Sequence, residues 1–402
     1  MKKICIISPD GFPVPAVKGG AVETVINNFI DLNEKYNDLD IVCLSVYDKN
    51  AYEKSKNYKH TKFIYYHMPK LKFTNFIIRG VNYLGRKLTR KNLKYYTHSK
   101  RLYSKIKNMQ FDYIIVEGGD AISYEYLTSK YDKNKVILHM HGVDMSGQYN
   151  KLLEKMYGKF IALNDFTKTV ITKENIIKKE NVYIVPNGIN FNHFNNKISD
   201  SEKQKIREKY NIEKDEKVIL FCGRLIPEKG IREVIKSLKY IKTDEKYKLL
   251  VVGNSAFGKN ARTSYEQEIA ELAKEYDEKI VFTGFIHNSQ LHKIHQISNI
   301  FVAPSICEEA FGLVFLEAMA SGLPIISTLS GGIPELVSSE AGILLKRDEK
   351  LVQNLANKLS DLLNNEALRN NMGQAGIEIS KKYDLDEVYK TFVNVLEECG
   401  KI

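Results

Sequence analysis

Nowhere in the 402-residue chain do 18 or more apolar residues run together, which excludes a helix long enough to cross a bilayer core about 30 Å thick. Nor is there a signal-peptide core. Met1-Lys2-Lys3 precede only Ile4 to Ile7 before Ser8-Pro9-Asp10, a run that suits a first buried strand, so a cytoplasmic protein is expected. The five cysteines, at 5, 43, 222, 307 and 399, contain no Cys-x-x-Cys spacing. Three of them fall in apolar strand candidates, so neither a zinc site nor a disulfide framework is indicated. The scarcest feature is acid in one segment: from Lys49 to Lys107 there are 17 Lys or Arg and one carboxylate, Glu53. The net charge of +11 is therefore concentrated, and the remainder of the chain is net acidic.

That basic segment also carries aromatic and aliphatic residues, among them Tyr65, Tyr66, Phe73, Phe76, Tyr83, Tyr95 and Tyr96. Lysines drawn to lipid headgroups with apolar residues dipping between them would suit an anionic membrane surface. On this reading Lys70, Lys72, Arg79, Arg86, Lys87, Arg90 and Lys91 are membrane- or acceptor-facing. A solvated basic face without a partner and nucleic-acid binding are the other readings; the motifs below disfavour nucleic acid.

What is present is a twice-repeated α/β pattern. With 43% hydrophobic and 27% charged residues, the composition is globular, and the length suggests two domains. Apolar runs at Ile4–Ile7, Ile41–Val46, Tyr113–Val116, Val136–Met140, Phe160–Ala162 and Val182–Val185 alternate with helical segments. The scheme restarts at Val218–Cys222, Leu249–Val252, Ile280–Phe282, Ile300–Ala303 and Pro324–Ser327. Such alternation predicts parallel sheets covered on both faces. The polar run Asn190 to Asp200 marks the junction, giving domains 1–190 and 191–384. Leu385 to Glu398 has Val388, Tyr389, Phe392, Val395 and Leu396 at helical spacing and buries one face.

The most informative stretch is Glu309-Ala-Phe-Gly-Leu-Val-Phe-Leu-Glu317. A strand candidate and Pro304-Ser305 precede it, and a helix ending at Gly322-Leu323-Pro324 follows. Backbone N–H groups at Phe311, Gly312 and Leu313 then lie at a helix N-terminus, which favours an anion such as a diphosphate. Ionised carboxylates only accept hydrogen bonds, so Glu309 and Glu317 suit sugar or ribose hydroxyls. Arg224 and Lys229 follow the first strand of the second domain and can neutralise a leaving diphosphate. In the first domain, His139-Met140-His141-Gly142 ends a strand with both histidines on one side. Sugar contact, a core role and a metal pair are all open for these histidines, although no carboxylate or Cys cluster is seen to complete a metal site. Gly19 and Gly20 permit close backbone approach to diphosphate or acceptor, or serve a tight turn alone. The triplets Asp38-Leu39-Asp40 and Asp384-Leu385-Asp386 sit at element boundaries and are assigned structural roles.

Together, Glu309 to Glu317, Gly331-Gly332-Ile333-Pro334-Glu335-Leu336, Gly223-Arg224-Leu225 with Glu228-Lys229-Gly230, Val185-Pro186-Asn187-Gly188-Ile189, His141-Gly142 and Gly19-Gly20 resemble the retaining glycosyltransferases of family 4. The joint order of these motifs, from residue 4 to about 340, is specific. The resemblance implies an α/β GT-B fold, two doubly wound Rossmann-like domains facing a central cleft, with helix 385–402 packing back on the first. It implies a nucleotide-sugar donor, UDP-sugar foremost, and no cofactor or metal. It places Glu317 on the ribose, Glu309 and His141 at the donor sugar, Arg224 and Lys229 on the diphosphate, backbone at Phe311 to Leu313 on sugar and diphosphate, and Phe285 at the base. Glu308 could be confused with Glu309, but the spacing to Glu317 selects Glu309. The implied activity is sugar transfer to a lipid-linked or saccharide acceptor at the inner membrane face, in polysaccharide, capsule or glycolipid assembly. The alternatives are a nucleotide-sugar epimerase, a phosphorylase, and a non-catalytic membrane-binding subunit.

Overall fold

The computed structural model describes residues 1–67, 93–142, 147–254 and 263–400. The chain divides into two compact units, one of residues 1–186 with 385–402 and one of residues 187–384. In the first, β1 (Lys2–Ile7), β2 (Leu39–Val46), β3 (Thr61–Tyr66), β4 (Tyr113–Glu117), β5 (Val136–His139), β6 (Lys159–Ala162) and β7 (Val182–Ile184) form one sheet. Its order is β3-β2-β1-β4-β5-β6-β7, and every pairing in it is parallel. The apolar runs are continuous rather than alternating because both faces are covered. Cys5 and Ile7 of β1 join one buried cluster and Ile4 and Ile6 the other, as the two-residue period of a strand requires.

The second of these clusters is closed by the helix Leu385–Glu398. Phe392 stacks on Phe29 at 4.6 Å between ring centroids. The Tyr389 hydroxyl donates to Asn33 Oδ1 at 2.9 Å, and Lys35 pairs with Asp386 at 2.7 Å. The chain thus returns to its first unit after completing the second.

The second unit has β8 (Lys217–Cys222), β9 (Tyr247–Val252), β10 (Ile280–Gly284), β11 (Ile300–Val302), β12 (Ile325–Thr328) and β13 (Gly342–Leu345). They are ordered β10-β9-β8-β11-β12-β13, again in parallel pairs. In each sheet the strand order reverses beside the first strand, between β1 and β4 and between β8 and β11. That switch point opens a crevice at the carboxyl ends of the strands, where sheets of this kind hold ligands. The polar run from Asn190 to Asp200 belongs to the second unit, which starts at Asn187. Phe191–Asn195 and Asp200–Lys209 are helices of the second unit, and Ile189 N–H donates to Tyr383 O at 2.9 Å.

Two sequence expectations change here. Tyr65 and Tyr66 are not free to meet lipid: they belong to β3, where Tyr66 is buried and the Tyr65 hydroxyl donates to Val14 O and Ala51 O, each at 3.1 Å. Leu102 and Ile106, late in the same basic segment, are also core residues. Lys70, Lys72, Arg79, Arg86, Lys87, Arg90 and Lys91 lie outside the described residues.

Candidate active site

In the second unit the loops after β8 and β11 are locked together. Gly230 has φ 75°, and a Cβ there would lie 2.1 Å from Pro304 O, so only glycine fits. Ile306 N–H donates to Glu228 O at 2.8 Å. This brings Lys229 Nζ onto Glu309 Oε2, with Ser305 Oγ 3.4 Å from the same oxygen. The sequence assigns these two residues to different parts of a ligand; the structure pairs them with each other across the switch point. Arg224, in the same loop as Lys229, is exposed and has no ion-pair partner among the described residues.

A third loop, after β12, fixes the backbone of Glu309. Glu309 N–H donates to Ser330 Oγ at 3.2 Å, and Gly332 N–H donates to Glu309 O at 2.8 Å. Gly331 has φ 52°, and a Cβ on it would fall 2.1 Å from Glu309 O. The Gly-Gly motif is therefore a seat for the acidic loop. Glu308, set aside by spacing, braces the same loop: it accepts from Gly331 N–H and pairs with Arg347, whose Nη1 donates to Ile306 O at 3.0 Å. Only the fold could reveal Arg347, which stands 39 residues from Glu308.

The helix after this loop runs Leu313–Ala320 and starts at Gly312, φ 91°, without a side-chain cap. Its first N–H groups lack intrahelical acceptors and carry the positive end of the dipole. Phe311 is buried with its ring 5.9 Å from Tyr383. Phe285 is 52% exposed and follows Gly284 at φ 70°.

Glu317 departs from expectation. Its Oε2 is buried without a hydrogen-bond partner, and burial pushes its pKa up to about 8. It also contributes, after burial, to raising the nearby Cys222 thiol. At neutral pH the carboxyl is mostly protonated, so it can donate a hydrogen bond as well as accept one; the expected ionised acceptor is corrected. The native state keeps a proton that the unfolded chain has lost above the ordinary carboxylate range. Stability from this group accordingly falls as pH rises through that window and levels off above about 8. Glu317→Gln removes the effect, so its melting temperature relative to wild type is expected to climb from pH 5 to pH 9. A pH-independent difference between the two melting curves would show that the carboxyl is already ionised.

In the first unit, Gly19 and Gly20 have φ 78° and 97° and lead into the helix Ala21–Tyr36. A Cβ on Gly20 would sit 2.2 Å from Glu23 Oε2. Glu23 is buried; burial raises its pKa, while hydrogen bonds from the backbone at Glu23 and Phe12 oppose the rise. The second glycine thus makes room for an acid folded over the helix start, a role not seen from sequence. Asp10, after β1, accepts from the Tyr66 hydroxyl at 2.7 Å and lies 3.1 Å from His98 Nε2.

His139 and His141 lie side by side, with ring centroids 4.3 Å apart, and a carboxylate does join them. Glu117, at the end of β4, is paired in register with His139. Its Oε2 is 2.8 Å from His141 Nε2, a hydrogen bond, and 2.9 Å from His139 Nδ1, which is off line for one. The expectation that no carboxylate accompanies the histidines is overturned by a residue 24 positions away from His141. Burial alone would raise the Glu117 pKa, but the two imidazoles beside it, His139 foremost and then His141, outweigh burial and bring it down to about 2.

Residues 202–379, most of the second unit, match the family model described as glycosyl transferases group 1. The matched stretch carries Arg224, Lys229, Glu309 and Glu317. An uncharacterized glycosyltransferase of Methanocaldococcus jannaschii is 32% identical, over 54% of this chain and 54% of its own length. Lipopolysaccharide 1,2-N-acetylglucosaminetransferase of Salmonella typhimurium is 30% identical, over 57% of this chain and 58% of its own length. The chain therefore spans little more than half the length of these curated relatives. The HepE protein of Anabaena, solved in complex with UDP and glucose, superposes with a TM-score of 0.75 at 18% identity, covering 99% of this chain and 100% of HepE. The fold is thus the two-domain α/β GT-B fold, and the loops around Lys229, Glu309 and Glu317 lie within the stretch that matches the family model.

Proposed function

We propose that this protein is a retaining glycosyltransferase that moves a sugar from a nucleoside diphosphate, UDP-sugar foremost, to a lipid-linked or saccharide acceptor without a metal ion. The observation that carries the reading is the Lys229–Glu309 pair, held by three loops beside an uncapped helix N-terminus in the stretch that matches the family model. When the glycosidic bond breaks, negative charge grows on the departing phosphate oxygen. Lys229, Arg224 and the helix N-terminus stabilise that charge more in the transition state than in the ground state. Glu309 accepts from a donor-sugar hydroxyl, Glu317 meets the ribose hydroxyls, and His141 is assigned to the donor sugar. Backbone at Gly19 and Gly20 meets diphosphate or acceptor, and Phe285 meets the base. Retention follows from the resemblance, and the anomeric configuration of the product tests it.

The deciding experiment titrates the metal-free protein with UDP, GDP, ADP and their sugar conjugates while following melting temperature and donor hydrolysis. Selective stabilisation by one diphosphate, with slow sugar release that Glu309→Gln abolishes, is expected; no shift with any nucleotide overturns the reading. The acceptor is placed at the anionic inner face of the membrane, a setting suited to polysaccharide or glycolipid assembly. The 17 basic residues between Lys49 and Lys107 support this. Co-sedimentation with anionic vesicles is expected to weaken as salt rises, and equal partitioning onto neutral vesicles would refute the electrostatic docking.

A further inference from the structure

We propose that Glu117 and Gly118 hold His141 in one tautomer, with Nε2–H donated to Glu117, so that Nδ1 presents a lone pair to a hydroxyl of the sugar substrate. Glu117 is then a positioning residue acting through His141. The substrate half of this statement rests on the transferase reading above; the tautomer does not.

Glu117 is fully buried and His141 nearly so. A buried carboxylate survives only with partners, and an ionised one can only accept. The 2.8 Å contact between Glu117 Oε2 and His141 Nε2 accordingly requires the proton on Nε2. Gly118 fixes which edge of the ring faces inward. Its φ is 57°, its N–H donates to His139 O at 2.8 Å, and a Cβ would lie 3.1 Å from His141 Cδ2. Cδ2 and Nε2 are neighbours in the imidazole, so that edge is seated against the end of β4. Nδ1 lies on the opposite edge and has no hydrogen-bond partner among the described residues. Burial, and next the neighbouring His139 ring, lower the His141 pKa against the pull of Glu117. The ring is therefore neutral near pH 7, and Nδ1 accepts rather than donates.

Glu117, His139 and His141 also have the make-up of a divalent-cation site, with candidate ligand atoms within 4.8 Å of one another. The surroundings fit that use poorly. A histidine on a metal ordinarily donates its far N–H to a second group, yet His139 Nε2 is buried with no partner. His141 Nε2 is already hydrogen-bonded to the carboxylate.

The test is nitrogen-15 NMR of the histidine side chains in the full chain, without donor, at pH 7.5, with the His141 signals assigned through His141→Gln. A neutral ring protonated on Nε2 is expected, and Glu117→Gln is expected to mix the tautomers. An Nδ1–H ring or an imidazolium in the wild type overturns the proposal. So does a stoichiometric titration by zinc that shifts the His139 and His141 signals together. These readouts involve no substrate, so their failure is separable from failure of the transferase reading. If transfer is measurable, Glu117→Gln lowers kcat by roughly 10- to 100-fold, the size expected when the partner orienting an imidazole is lost. The double variant Glu117→Gln/His141→Ala is then no slower than His141→Ala alone; additive losses would show that Glu117 acts by another route.

Discussion

Lys229→Ala is expected to slow sugar transfer by about 10²-fold or more, the usual loss when a preorganised charge facing a developing anion is removed. Two effects contribute. The departing diphosphate loses a point charge, and Glu309 loses the ammonium against which it is held. Because the two side chains share one contact, the losses from Lys229→Ala and Glu309→Gln will be less than additive. Arg224→Ala is expected to produce a comparable fall without altering Glu309, since Arg224 is not part of that pair. The check is kcat and kcat/KM for all three single variants and the Lys229→Ala/Glu309→Gln double variant. Wild-type kinetics in both cation variants would remove the leaving-group role from this loop.

The second large effect is expected from a residue that touches no ligand. Gly331→Ala puts a methyl group 2.1 Å from the Glu309 carbonyl oxygen and 2.7 Å from its nitrogen, at φ 52°, where an L-residue is already disfavoured by about 1–2 kcal/mol. Both obstacles are backbone, so the segment from Cys307 to Glu309 must move. A displacement of roughly 1 Å at a positioning group can cost about 10²-fold in rate. Transfer is therefore expected to fall by that order while UDP binding is largely kept, because Glu309 is assigned to the sugar rather than the nucleotide. Equal losses of both, or of neither, would contradict this division of the site.

Much of the fold was legible because parallel strands covered on both faces leave unbroken apolar runs. Ile4–Ile7 and Val218–Cys222 stand out for that reason, and the helix Leu385–Glu398 announces itself by its apolar stripe. Strand β3 was hidden because Thr61–Tyr66 is an edge strand, carrying exposed Lys62, inside a basic run that reads as surface. Strand β13, Gly342–Leu345, opens on glycine and is half-buried at its middle two residues, so it shows neither a long apolar run nor an alternation. In the site, residue types were readable and pairings were not. Lys229 and Glu309 are 80 positions apart, and loops have no period to align them. The glycines at 230 and 331 are visible as turn punctuation, but what each makes room for, Pro304 or Glu309, exists only after the strands are ordered. Glu117 lies just past the strand candidate Tyr113–Val116; its charge acquires meaning from the neighbouring strand, which the topology supplies. The ionisation of Glu317 also depends on folding, since a sequence carries no burial.

The course of the chain has a consequence for how the molecule is made. The second unit starts at Asn187 and ends at Asp384, with Ile189 bridged to Asp384 and Phe191 N–H donating to the Asp384 carboxylate at 3.1 Å. It is a closed loop of chain, fastened at its own neck. The first unit, although synthesised earlier, lacks Phe392 and its neighbours until the helix Leu385–Glu398 is translated. At about 5–20 residues per second, the ribosome leaves the Phe29 face of the first sheet uncovered for roughly 10–40 s while the inserted unit completes itself. The body begun first is finished last, and in that interval its exposed apolar face is the surface a chaperone would meet.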